Sequence, residues 1–403
     1  MTETFSAIDP FRRLPVELIF QIFEDTADFV GVESLISVSR PARAAFYADP
    51  QAIMQAILIS NPITLQPELR SLVSNIAILH NPSSHCSTLD DYEKVTALND
   101  KLYSSQRFQS PEVACRILHI AAQIQRLGCV CLSKLQKEFA SAVGISPLLA
   151  QQANEPFSWI EEYRMYWALW HLRCYSDLRK SVDKRFSSFY NTGNPPDNAR
   201  WSWPSESIQA LDLYPTSDDI HEFRKEVIWT VAVALEDLKT CSPSALPGDV
   251  LQPEYKSTLS WDLHPNTPIP FFSSFKLPQT VETQYPIWSP PPVPAKNPVT
   301  TPWRLLPTYC TNPTGQTALF RSLRFQVMRR GPDRRAMNDV LRYRRCGVLL
   351  WDKWRMFSTG LIPNNFRERV PAPGGMFIEA RSEVSQGMGD VLPMWLEVGR
   401  AKQ

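Results

Sequence analysis

Glycine is scarce in this sequence, 14 of 403 residues. Backbone that wraps a phosphate or a flat cofactor leans on glycine, because a residue without Cβ permits that approach. Neither a P-loop nor a dinucleotide fingerprint occurs, and G-x-S-x-G and H-E-x-x-H are missing too. No uninterrupted apolar run approaches the ~20 residues of a membrane span. The opening "MTETFSAIDPFRR" carries no apolar core of a secretory signal. Charge of one sign is absent in bulk: the formal net charge is +1, so the whole molecule exerts no long-range pull on nucleic acid or an acidic membrane. Eight cysteines at irregular spacing do not make a disulfide framework. They read as free thiols in a reducing compartment, which predicts cytoplasm or nucleus. Enzymatic chemistry, a cofactor, a membrane and nucleic acid are therefore all outside the expected function.

The spacing of cysteines and histidines does not predict a metal site. Cys115 and His119 form a C-x₃-H pair, and Cys129 and Cys131 a C-x-C pair, within apolar helical pattern. Zinc sites favour C-x-x-C or H-x₃-H pairs. These side chains read as buried thiols and ordinary histidines, and no metal ligand is expected.

Proline, by contrast, is abundant, with 35 residues. Sixteen of them lie between Pro243 and Pro313, which forbids long helices and central strands there. Trp261, Phe271, Phe272, Phe275, Trp288 and Trp303 are interspersed, and a free linker would not carry so many aromatics. The segment is expected to be an extended strap pinned on a helical body, loosest near "SPPPVPAKNP". There Pro291-x-x-Pro294-x-Lys296 also matches a polyproline-ligand pattern, which proline-rich sequence produces by chance.

The rest reads as helix. "SPEVACRILHIAAQIQRL" places Val113, Ile117, Ile120 and Ile124 on one stripe, and "CLSKLQKEFASAV" reads as a further piece with Leu132, Leu135 and Phe139. "SWIEEYRMYWALWHLRCYSDL" opens with a capping box, Ser158 and Glu161, and its Trp159, Trp167 and Trp170 have core spacing. "DDIHEFRKEVIWTVAVALEDLKT" turns Val227, Val231, Ala234, Leu235 and Leu238 inward. Two more helices are expected in "GQTALFRSLRFQVMRR" and "RAMNDVLRYRRCGVLLWDKWRMFSTGL", before a weakly ordered tail. From Arg321 to Arg355 eleven Arg or Lys face three Asp, an excess of eight. The expectation is that these arginines pair with acids on neighbouring helices or line a solvated face.

The N-terminus is the densest apolar stretch. In "LPVELIFQIF" the apolar residues cover roughly 200° of a helical wheel, twice the ~100° of an ordinary surface helix. Pro15 suits the first turn, Gly31 is expected to separate this helix from "VESLISVS", Pro41 to end that piece or open the next, and Asp49-Pro50 to cap and start another. The pattern of Leu14, Pro15, Glu17, Leu18, Ile22, Phe23, Leu35, Val38, Ser39 and Arg40, with the later Asp49-Pro50, resembles the F-box. That family is a three-helix module docking on a Skp-family adaptor of cullin–RING ubiquitin ligases. Two features differ: the Phe23-to-Val38 spacing is about one residue longer, and Ala42 stands where the family has an aromatic. "EEYRMYWALWHLRCYSDLRK" and "YRRCGVLLWDKWRMFSTGLI" are similar to segments of filamentous-fungal F-box-like proteins.

The expected fold is mainly α: an F-box-like module over residues 1–60, a helical body over 61–240, a Pro-rich irregular segment over 241–316, and C-terminal helices with a tail over 317–403. The resemblance implies a substrate adaptor in which Leu14, Pro15, Leu18, Ile22, Phe23, Leu35 and Val38 hold the Skp-family subunit and, through it, a cullin. The body would present an unidentified protein client. The alternative is a non-catalytic helical scaffold whose F-box-like module packs internally. Ala42→Trp is expected to strengthen adaptor binding by restoring the family's aromatic.

Overall fold

A computed structural model describes residues 9–26, 28–81, 92, 108, 110–143, 147–192, 219–240, 272, 275–276, 284–293, 343–352, 355–356 and 359. The protein is mainly helical, and the described residues contain no strand. A 3₁₀ turn, Pro10–Arg13, leads into α1 (Val16–Asp25), α2 (Phe29–Val38), α3 (Arg40–Ala48), α4 (Pro50–Ser60) and α5 (Pro67–His80). There follow α6 (Pro111–Val143), α7 (Pro147–Ala153), α8 (Trp159–Thr192) and α9 (Asp219–Thr240). Among the described residues no helix is long and apolar enough to cross a membrane.

Two long helices organise the rest. With 33 residues α6 runs for about 50 Å, and α2, α4, α5, α7, α8 and α9 all pack on it. α8 in turn receives α5 and α9. A helix packed on most sides must be apolar over most of its surface, and in the middle of α6 Ile120, Ala121, Ala122, Ile124, Leu127 and Cys129 to Leu132 are buried, with Gln123, Gln125 and Arg126 as the polar exceptions. The two helical pieces read from sequence here are one continuous helix through Gly128. Glycine inside a helix costs about 1 kcal/mol against alanine, and packing explains it: a Cβ at Gly128 would lie 2.8 Å from the Tyr166 ring of α8. Trp159, Trp167 and Trp170 are buried, as their spacing indicated. Most buried apolar residues form one cluster from Ile19 to Met356, and Trp159 with Ile160 forms a smaller second one.

Parts of the Pro-rich segment lie on this body. Phe272 and Phe275 are buried edge to face, and the Phe272 N–H donates to Ser176 Oγ of α8. Residues 284–293 lie against α6 and α8. The stretch near "SPPP", expected to be loosest, is seated: Pro290 is buried and Val293 packs on Trp159 and Ile160. Proline has no N–H to satisfy, so such a strand of chain can lie on a body with few backbone partners. Pro294, Lys296, Trp261, Phe271 and Trp303 are outside the described residues.

Near the C-terminus, the helix expected through "RYRRCGVLLWDKW" breaks. A helical stretch at Tyr343–Arg345 gives way to turns. Gly347 has φ +64°, which L-residues avoid, and a Cβ there would meet Trp351 and Leu135 at 3.1 and 3.2 Å. The break folds Val348, Leu349, Leu350 and Trp351 into the core. "GQTALFRSLRFQVMRR" and the tail are outside the described residues.

Candidate docking surface and buried ionic centres

The starts of α2, α3 and α4 are set by short-range caps. Asp28 Oδ1 accepts from the Val30 N–H, Ser39 Oγ from Ala42, and Asp49 Oδ1 from Ala52, each satisfying an orphan donor of a first turn. Pro41 and Pro50 sit in the first turns of α3 and α4, as their positions indicated. Gly31 is no separator; it lies inside α2, whereas α1 ends at Asp25 with Thr26 as its C-cap and α2 starts at Phe29 with Asp28 as its N-cap.

The broad apolar face of α1 is divided. Ile19 and Phe23, one turn apart, are buried, and Phe23 meets Phe46 edge to face at 6.3 Å. Beside that stripe Val16 and Leu18 stay 47% and 45% exposed. Helix α2 instead spends its apolar stripe, Phe29, Val32 and Ile36, within the chain, packed on α6. Glu33 strengthens that seam by accepting from Arg126 Nη2 at 2.6 Å and pairing with His119 Nδ1.

Of the seven residues expected to hold an adaptor, Pro15, Leu18 and Val38 are exposed, Val38 at 77%. Leu14, Ile22 and Leu35 are half-buried, and Phe23 is fully buried in the chain's own core. Val16 and Tyr47 were not in that set yet are exposed apolar side chains; the helical wheel already carried Val16.

Ala42 requires a correction. It is fully buried in α3, which packs on α1, α2 and α4. The small side chain sets how closely these helices approach, and an indole has no space there. Ala42→Trp is now expected to destabilise the protein by about 1–3 kcal/mol or more through overpacking. A thermal melt at or above the wild-type midpoint would contradict this.

Buried ion pairs tie distant segments to α8 and α9. Arg355 Nε and Nη2 donate to Glu161 at 2.7 and 2.9 Å, both side chains being almost fully buried. The same guanidinium donates to the carbonyls of Ala153, Glu155 and Pro156. Glu161 also accepts from the Ser158 and Asp352 N–H groups, the first being half of the expected capping box. Burial, reinforced by Glu161, pushes the Asp352 carboxyl up to about 6. Arg344 pairs with Glu226 in the interior, and the exposed Arg345 pairs with Asp237 at the surface. The C-terminal arginines that the structure describes thus pair with acids on α8 and α9, one of the two roles expected for them.

Glu68 at the start of α5 accepts from Trp167 Nε1 at 2.8 Å, Arg224 Nη1 at 3.3 Å and the Tyr163 hydroxyl at 3.4 Å. Burial raises its pKa, but His171, Arg224 and Trp167 outweigh burial and bring it down to about 2. Asp177 holds His80 at 3.0 Å and Arg173 at 2.7 Å. Through these partners the two carboxylates join helices: Glu68 ties α5 to α8 and α9, and Asp177 ties α8 to the end of α5. Burial pushes the Cys129 and Cys131 thiols up to about 12, so they remain protonated. Among the described residues no group of three or more metal-ligating side chains converges. A cavity of about 10 Å³ between Phe29, Asn61, Gln125, Tyr166 and Pro290 has room for a single water. Comparison with protein-family models, curated proteins and solved structures found no match to this chain.

Proposed function

We propose that the protein is an F-box-like substrate adaptor that docks on a Skp-family subunit of a cullin–RING ubiquitin ligase and recruits a protein client. The mechanism is proximity: client lysines are held near a ubiquitin-charged enzyme that the ligase supplies. The observation carrying this reading is the exposed Leu18, with half-buried Ile22 one turn on, on a helix whose Ile19 and Phe23 are buried. That division lets α1 belong to the fold and still offer an apolar side to a partner. It joins the Leu14–Arg40 pattern and the Asp49-Pro50 pair.

A second reading has its own support. Helix α2 uses its apolar stripe and Glu33 on α6, as an internally packed module would. A non-catalytic scaffold is then the function.

Capture with a purified Skp-family subunit separates the two. The wild type is expected to bind. Leu18→Asp should lower affinity by about a hundredfold, since a carboxylate would be desolvated at an apolar contact, and should leave the melting midpoint unchanged. A wild-type chain that fails to capture the subunit leaves the scaffold.

A further inference from the structure

We propose that Glu162 and Trp288 form a proton-operated latch, which holds residues 284–293 on α6 and α8 while Glu162 is neutral and lets them go when it ionises.

Pro290, Val293 and Tyr285 give the strap segment apolar contacts, while its hydrogen bonds to α6 and α8 run through Trp288. The Trp288 N–H lies 3.5 Å from Cys129 Sγ, and its carbonyl accepts from Gln125 Nε2 at 3.0 Å. Its ring stacks on Phe157 with centroids 5.4 Å apart. Its indole Nε1–H donates to Glu162 Oε1 at 2.5 Å. Of these partners Glu162 is the carboxyl, and it is buried on α8 with 2% of its surface exposed.

The setting of that carboxyl suits the neutral acid. Its second oxygen, Oε2, is buried and has no hydrogen-bond partner. No described cation pairs with it, because Arg355 is committed to Glu161 and three carbonyls. The titratable groups around it are acids: Glu161 beside it on α8, Tyr166 one turn on, Cys129 from α6, and Asp28, whose charge reaches Cys129 and Tyr166 from the start of α2. From the strap it meets the indole alone. An ionised acceptor strengthens an indole hydrogen bond, but one neutral donor does not offset the loss of water around a carboxylate. Burial first, then Glu161, push Glu162 up to about 8 against the pull of Trp288.

The direction of the pH effect follows. Once the strap is off, Glu162 gains water and its pKa falls from about 8 toward the ordinary carboxyl range. Below about 8, down to the lower value of the open state, the latched state therefore holds a proton that the open state does not. Raising pH through this window disfavours the latched state. Above it, the latched state must carry a buried, half-satisfied charge.

Hydrogen exchange on the full chain at pH 6 and pH 9 tests this, each pH corrected with an unstructured peptide of the same segment. Wild-type amides in 284–293 should lose at least tenfold in protection at pH 9, with α6 and α8 unchanged. Glu162→Gln should show equal protection at both pH values. Equal protection in the wild type, or the same loss in Glu162→Gln, overturns the latch. Should Glu162→Gln not fold, Trp288→Phe decides, since it keeps the stacked ring and removes the donor. Protection of the segment at pH 6 should then fall several-fold, and full protection there overturns the proposal.

Discussion

Arg355→Met is expected to lower the thermal midpoint by on the order of 10 °C. The guanidinium and Glu161 are both almost fully buried, joined by two hydrogen bonds. Removing one partner of a buried pair leaves the other charge unpaired in a medium that solvates it poorly, at about 3–5 kcal/mol. Three further carbonyls, from Ala153, Glu155 and Pro156, lose their donor as well. For a domain beyond ~150 residues each kcal/mol moves the midpoint by about 2–4 °C. The double variant Glu161→Gln/Arg355→Met should recover part of the loss, because a neutral amide at position 161 keeps the Ser158 cap without a buried charge. A midpoint within 2 °C of wild type for Arg355→Met would show that the pair is not buried in solution.

This centre also shows where the sequence is readable and where it stops. A capping box is local, so Ser158 and Glu161 announce a helix start from four adjacent residues, and the Glu161 carboxylate does accept from the Ser158 N–H. The ion pair spans 194 positions, and no spacing rule reaches that far. The same division recurs. Asp49-Pro50 was legible because cap and first-turn proline are neighbours. Gly31 misled because glycine reads as a break, while the real boundary is set by the Asp28 side chain. Gly347 misled in reverse: apolar spacing continued through it, and its positive φ ended the helix. The anchoring of the strap was legible in kind, from aromatics among prolines, but not in place, since proline count says where chain is stiff and not what groove receives it.

For the opening helix, the burial pattern makes two neighbouring substitutions diverge. Phe23→Asp is expected to abolish cooperative melting. Phe23 is fully buried against Phe46, deletion of a buried Phe side chain alone costs about 3–5 kcal/mol, and the introduced carboxylate has no partner there. That sum rivals the ~5–15 kcal/mol that holds a domain folded. Leu18→Asp lies on the exposed side of the same helix and should melt within about 0.5 kcal/mol of wild type. Ile22 is half-buried, so Ile22→Asp should fall between them and makes a poor probe of docking. Circular dichroism melts of the three variants give the order directly. If Leu18→Asp unfolds the chain as Phe23→Asp does, α1 is covered on both sides by its own protein, and no side of it is left for an adaptor. If only Phe23→Asp unfolds it, Leu18 is free to be tested for binding in a folded protein, and any affinity it loses belongs to the interface.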